Sequence, residues 1–347
     1  MTQNQPMKNL VKNLWPPITL ILVISGLLLL TERNDDAGND RNKPWRVAIF
    51  KYSSRAALDE TENGYIESLA QNGYKNGGKM MLTRYNAEND MATANAIATE
   101  IVNQKFDMVI TASTPCLQVM ANANKAGKVI HVFGTVTDPF GAGVGISRMD
   151  QSKRPPWMAG AGTFQPVKKA FLIAREMNPA LKKVGVVWCT SQTCSEACVV
   201  IARHVCDSLG IQLLENTVEN SNDVYEAAKA LVSRGAEALW IGGDNTVEVA
   251  SGMVIKAGDE GNIPVFTNNT DHPKQGAIFG LGANYYDVGL SVGKIAAQIL
   301  DGRKPLEFSI KNVVPEKLVV NSTKLKKYSD ISWRMTAHLK STTSFIQ

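Results

Sequence analysis

From Trp45 onward the chain alternates short β-rich runs with amphipathic helical stretches, and this rhythm limits the fold more than any other feature. Val47 to Lys51, Met80 to Arg84, Met108 to Thr111 and Val129 to Phe133 read as strands. Leu58 to Gln71, Met91 to Gln104 and Pro115 to Lys125 read as the helices between them. Residues 147–163 (with Arg148, Lys153, Arg154, Pro155 and Pro156) break the pattern and read as a crossover segment or surface loop. The rhythm then restarts, with strands at Val184 to Trp188, Gln212 to Thr217, Ala238 to Ile241, Val265 to Thr267 and Ala277 to Leu281. The matching helices are Val167 to Met177, Glu196 to Leu209, Asp223 to Arg234, Thr246 to Gly258 and Tyr286 to Leu300. Leu318 to Val320 reads as a short last strand, followed by a weakly patterned tail. Two βα-rich halves imply an α/β protein of two doubly wound parallel-sheet lobes. The 347 residues are enough for both.

The first 44 residues differ. Between Lys12 and Glu32 lie 19 uncharged residues, including Ile18 to Leu30. At 1.5 Å per residue they reach about 28 Å, near the hydrocarbon thickness of a bilayer. Lys8 and Lys12 precede the run, while Glu32, Asp35 and Asp36 follow it. The positive-inside bias therefore places residues 1–12 in the cytoplasm and the lobes outside. Thr31-Glu32-Arg33-Asn34 lacks the small residues of a signal-peptidase site, and no cysteine follows the run. The reading is a transmembrane signal anchor at 13–31 and a polar linker at 32–44, with a cleaved signal peptide as the alternative. The net charge of +5 is dispersed, without aromatics interleaved among clustered basic residues, and this argues against a nucleic-acid partner.

Ligands of doubly wound sheets sit beyond the carboxyl ends of the strands, so the residues there are the candidates. Tyr52-Ser53-Ser54 follow the first strand and Ser113-Thr114-Pro115 the third. Pro115 suits a first helical position, where the free N–H groups and the helix dipole favour a carboxylate. Thr135 to Pro139, with Thr137 and Asp138, follow the fourth strand. In the second half, Gly243-Asp244-Asn245-Thr246 and Asn268-Asn269-Thr270-Asp271 occupy equivalent places. Each cluster alone is also what a plain helix cap or turn requires. Together they suggest a polar cleft suited to a zwitterion, its ammonium on Asp244 or Asp138. Tyr52, Phe140, Trp157, Phe164 and Trp188 are the aromatic candidates for stacking on a ring, each equally at home in a core or on a surface.

Several segments resemble the bacterial ABC-transporter substrate-binding proteins of the tryptophan/tyrosine type. They are GYIESLAQNG (64–73), ATANAIA (92–98), TVTDPFGAG (135–143), GDNTV (243–247) and TDHPKQGAIFGLGANYYD (270–287). The resemblance spans about residues 45–320 and implies a type I periplasmic-binding fold, two lobes joined by a three-strand hinge. It implies an N-terminal lobe at 45–146 and 283–311, a C-terminal lobe at 160–282 and 312–322, and a tail at 323–347. It carries ligand contacts onto Ser113, Thr114, Thr137, Asp138, Asp244, Asn245, Thr270 and Asp271. It also implies an ABC permease and ATPase as partners and capture of an amino acid. A membrane-anchored sensor using the same clamp is the alternative. Two positions depart from the family pattern: Asn268-Asn269 stand where Gly-Asp is usual, and Trp188-Cys189 where Tyr-Asn is usual.

Of the five cysteines, Cys189, Cys194, Cys198 and Cys206 lie close together. Outside the cytoplasm such a cluster suggests a bridge from Cys189 to Cys194 or Cys198. The spacing of the cysteines with His204 matches no usual zinc pattern, so no metal is expected. Gly141 to Gly145 falls short of a dinucleotide fingerprint and opens no helix, so no cofactor is expected. Among the histidines only His272 follows a strand end, and no nucleophile or acid–base partner is nominated beside it. The chain therefore reads as a binding protein rather than an enzyme.

Overall fold

The computed structural model describes residues 43–346 except Ser332 and Thr342. The apolar run at 13–31 and most of the linker lie outside the described residues. Among the described residues no helix is long and apolar enough to cross a membrane.

The N-terminal lobe opens with β1 (Trp45–Lys51), α1 (Ala56–Gln71), β2 (Met80–Asn86), α2 (Met91–Asn103), β3 (Met108–Ala112), α3 (Thr114–Ala123) and β4 (Ile130–Val136). A fifth strand, β5 (Met158–Gly162), lies inside the segment expected to be a crossover or loop. It pairs in parallel with β4, giving a sheet of order β2-β1-β3-β4-β5. Its sequence, MAGAG, carries no β-branched or aromatic residue, so propensity gives no sign of a strand. The small residues have a steric reason: a Cβ on Gly160 would lie 2.7 Å from Phe133 Cγ.

The C-terminal lobe contains α4 (Val167–Met177), β6 (Lys183–Trp188), α5 (Thr193–Leu209), β7 (Gln212–Thr217), α6 (Val224–Ser233) and β8 (Ala238–Ile241). It continues with α7 (Asn245–Val249), α8 (Ser251–Glu260), β9 (Val265–Thr267), α9 (His272–Gln275) and β10 (Phe279–Ala283). The chain then returns to the first lobe as α10 (Tyr285–Leu300), which packs on α1. The two helices approach closely because Gly64 faces Gly289: a Cβ on Gly64 would sit 2.7 Å from Gly289 Cα.

The chain crosses once more to β11 (Glu316–Asn321), followed by α11 (Ser322–Tyr328), α12 (Ala337–Lys340) and β12 (Thr343–Ile346). The second sheet has the order β12-β11-β10-β9-β8-β6-β7, parallel except where β11 runs antiparallel to β10. The residues after Asn321 are thus no loose tail. Tyr328, Trp333 and Leu339 enter the same core as Phe171, Trp240 and Phe266. Three isolated large apolar side chains leave little periodic signal, yet burying each contributes roughly 1.5–3 kcal/mol before chain entropy. The C-terminal sheet is covered on both faces, with α4 and α5 on one side and α6 and α8 on the other.

Three segments connect the lobes: one from Gly162 into α4, one from β10 into α10, and one around 311–315. The first and third are laced together. Gly162 N donates to Lys311 O at 2.9 Å and Val313 N to Gly162 O at 2.7 Å. Asn312 Oδ1 accepts from Phe164 N at 2.5 Å.

Candidate functional site

The lobes face each other across a cleft and leave a cavity of about 30 Å³ between them. Ser113, Thr114 and Thr137 line it from the N-terminal lobe, Asp244 and Asn245 from the other. A larger chamber of about 470 Å³ lies between the same two lobes, bordered by Tyr52, Pro115 and Thr246. These eight sequence candidates therefore converge.

The backbone around the first group is strained. Ser113 has φ 107° and ψ 157°, a region that suits glycine. Thr135, also on the cavity wall, has φ 53°, at a break in the β4–β5 register. Ser113 Oγ accepts from Cys116 N at 3.4 Å as the cap of α3. Thr114 Oγ1 accepts from Thr137 N at 3.4 Å, joining the two strand ends.

Asp244 is built differently. Its carboxylate accepts from Cys189 N (2.6 Å), Ser195 Oγ (2.5 Å), Thr246 N (2.8 Å) and Val247 N (2.9 Å). Burial pushes its carboxyl above the ordinary range, against the pull of these donors. All four donors belong to its own lobe, so the residue caps α7 and ties β6 and α5 to it. Asp244 lines the cavity, as expected of a candidate ammonium site, with its lone-pair sites engaged by donors of its own lobe.

Asp138 follows the cavity-lining Thr137 but is not itself on the wall; it accepts from Phe140 N at 3.1 Å and from Arg148 Nη2 at 3.2 Å. The third cluster also stays off the cavity wall. Asn269 Nδ2 donates to Glu248 Oε2 at 2.9 Å, Asp271 accepts from Lys274 Nζ at 2.6 Å, and Thr270 is buried. Ser53 is buried too, its Oγ without a hydrogen-bond partner, yet it does not line the cavity.

The sequence candidates omitted Arg55, Thr163, Gln165, Cys194 and Tyr285, which all line the cavity. Arg55 follows β1 by four residues and reaches across the cleft. Its Nη2 donates to Asn245 Oδ1 at 2.5 Å, and its Nη1 lies 3.5 Å from Glu248 Oε2. Its Nε is buried without a partner, as is Thr163 Oγ1. Gln165 Nε2 donates to Tyr285 Oη at 3.1 Å, and burial pushes the Tyr285 phenol up to about 12. The strand-end rule finds Arg55 if read one residue beyond Ser54, and finds Thr163 and Gln165 once β5 is known.

Of the aromatic candidates, Tyr52 alone borders a cleft chamber. Arg148 covers the Phe140 ring and Arg203 the Trp188 ring; Trp157 packs over Gly127, and Phe164 joins the C-terminal core. The departures from the family pattern do not line the cavity either. Trp188 Nε1 donates to Glu215 Oε2 at 3.0 Å, and Asn268 braces Trp240 Nε1 at 3.0 Å.

The expected disulfide is not formed: all five cysteines are buried free thiols. Cys189 Sγ lies 3.1 Å from Ser191 Oγ, Cys194 Sγ accepts from Asn245 Nδ2 at 3.5 Å, and Cys198 Sγ points to Gln165. Each sulfur is turned to a different neighbour, whereas a bridge needs two Cβ atoms facing each other at about 3.8 Å. Burial pushes the Cys194 and Cys198 thiols up to about 12. No group of His, Cys, Asp and Glu suited to a metal ion occurs among the described residues.

Residues 46–334 match the family model of ABC transporter substrate binding proteins. The chain belongs to this family. Its fold, two α/β lobes with a ligand-sized seam between them, is the one expected of a binding clamp. The chain is 26% identical to the tyrosine-binding protein of Clostridioides difficile (strain R20291) over 294 residues, covering 84% of this chain and 83% of that one. A conserved domain protein from Vibrio cholerae superposes with a TM-score of 0.81 at 26% identity, over 88% of this chain and 100% of that one. The structure of an ABC domain with L-Trp from Streptococcus pneumonia shares the fold, with a TM-score of 0.80 at 20% identity over 88% and 100% of the two chains. A ligand-free, open substrate-binding protein with adhesive properties from Clostridium difficile gives 0.66 at 26% identity over 87% and 99%.

Proposed function

We propose that this substrate-binding protein captures a free amino acid with an aromatic side chain in the interlobe cleft and delivers it to an ABC permease and its ATPase. The observation that carries this is the polar wall of the cavity, drawn from both lobes, two of whose residues hold a buried group without a partner. Arg55 Nε and Thr163 Oγ1 have no protein partner, and a buried donor left unmatched costs about 1–3 kcal/mol. The start of α3 at Ser113 and Thr114 adds N–H groups and a positive dipole end that favour a carboxylate. Tyr52 and the neighbouring chamber offer room for a ring, and the relatives' names, tyrosine-binding and L-Trp-complexed, point the same way. The lobes work outside the cytoplasmic membrane, held there by the apolar segment at 13–31.

A thermal-shift panel of the natural amino acids on the full chain tests the reading. Saturation at 100 times Kd adds about 2.7 kcal/mol to stability. L-tyrosine or L-tryptophan should therefore raise Tm by several degrees, and acidic or small amino acids should not. A panel in which no amino acid moves Tm, or in which a sugar does, defeats the proposal.

A further inference from the structure

We infer that Arg55 is an interlobe latch: it reaches from the N-terminal lobe to Asn245 and Glu248 of the other and holds the clamp shut before any ligand arrives. The inference goes beyond the identity of the solute and holds whichever one the cleft takes. Arg55 lies in the turn before α1, whereas Asn245 and Glu248 belong to α7.

The polar contacts of the Arg55 side chain all go to the other lobe. Nη2 donates to Asn245 Oδ1 at 2.5 Å, and Nη1 lies 3.5 Å from Glu248 Oε2. The neighbouring cation behaves otherwise: Lys51 pairs with Asp59 at 2.5 Å and Glu62 at 2.8 Å inside its own lobe. On the far side the keeper of the latch is assembled in advance. Gln192 Oε1 accepts from Asn245 Nδ2 at 2.9 Å and from Asn245 N at 3.1 Å, which fixes the amide with Oδ1 toward Arg55. Glu248 Oε2 is held by Asn269 Nδ2 at 2.9 Å and His272 Nε2 at 3.2 Å. Gln192, Asn269 and His272 belong to the C-terminal lobe, so parting the lobes breaks none of these bonds and removes only Arg55.

Little else closes the cleft. Among the described residues, the hydrogen bonds that span it away from the connecting segments are Arg55–Asn245 and a contact of 3.5 Å from Gln118 Nε2 to Thr193 Oγ1. Gln118 Nε2 has a shorter partner in its own lobe, Ala142 O at 3.0 Å. The side chains of Arg55 and Glu248 are 20% and 5% exposed, so the latch is shielded from bulk water, where a charge-assisted bond is stronger than on an open surface. Contacts made only in the shut form favour that form with no ligand present. One hydrogen bond to a charged group shifts such an equilibrium by about tenfold or more. The ligand enters during openings, and its apparent affinity rises with the fraction of chains that can shut.

Pulsed electron paramagnetic resonance on the ligand-free full chain tests the latch. Spin labels carried by non-canonical residues at positions 91 and 219, both exposed, border the cleft chamber from opposite lobes and leave the buried cysteines untouched. Ligand-free wild type should show one dominant short distance. Arg55→Met, which keeps much of the side chain's length without its donors, should move most of the population to distances several ångströms longer. Asn245→Ala should move it part of the way, and adding Asn245→Ala to Arg55→Met should change nothing further, because one contact is being removed twice. A wild type that stands mostly open without ligand overturns the inference, as does an Arg55→Met chain that stays as shut as wild type. If Arg55→Met does not fold, the wild-type distances and Asn245→Ala still decide. The measurement needs no ligand, so a failure to bind amino acids would defeat the function proposed above and leave the latch standing.

Discussion

Two turns face each other across the cleft, and their sequences look alike. Ser113-Thr114-Pro115 and Gly243-Asp244-Asn245 each follow a buried strand, precede a helix and offer hydroxyl, amide or acid groups. The first holds Ser113 at φ 107°, makes one long cap bond of 3.4 Å and leaves its helix end turned to the cavity. The second encloses its carboxylate with four short bonds inside one lobe. One turn is strained and open, the other relaxed and closed. Polar residues at a strand end mark where a site can be, but whether they meet a ligand depends on whether the protein has already used their lone pairs. Strain kept at Ser113 costs stability and fits a role toward something outside the chain.

The largest test of this contrast is Asp244→Ala. Removing a cap that serves two backbone N–H groups of α7, Cys189 N and the Ser195 hydroxyl should destabilise the chain by about 3 kcal/mol. The midpoint of urea unfolding measures it. A stable variant that has lost only ligand affinity would return Asp244 to the ligand and erase the difference between the turns.

Ser113→Gly should act oppositely. Glycine accepts the φ of this position and costs only a few tenths of a kcal/mol as a cap, so the chain should gain about 1 kcal/mol while losing ligand affinity. Unfolding and calorimetry together check both signs. A clear loss of stability would mean that Ser113 is an ordinary structural cap and that the two turns are equivalent.

The smallest effect belongs to Asp138→Ala. Its partner Arg148 is 68% exposed, and exposed pairs contribute about 0.2–1 kcal/mol. Stability and ligand affinity should both stay nearly unchanged. A large drop in affinity would show that Asp138 turns into the cleft when ligand is present.

The rhythm of runs from Trp45 determined the α/β class, most strand and helix positions and the strand ends at which to look. It did so because burial periodicity is a local property: Gln212–Thr217, Ala238–Ile241 and Val265–Thr267 lie where the pattern placed them. Ser113, Thr114, Thr137, Asp244 and Asn245 were legible as cleft residues for the same reason. The tertiary structure alone decided the rest. β5 is a strand because β4 offers it an edge and Phe133 leaves room only for small residues, neither of which is written in MAGAG. The residues after Asn321 join the core through Tyr328, Trp333 and Leu339, spaced without period. The free cysteines and the saturation of Asp244 depend on which atoms folding brings within 3 Å. Arg55 reaches Asn245, 190 positions away in the sequence. No local pattern encodes that distance, because it is set by how two separately packed lobes close on each other.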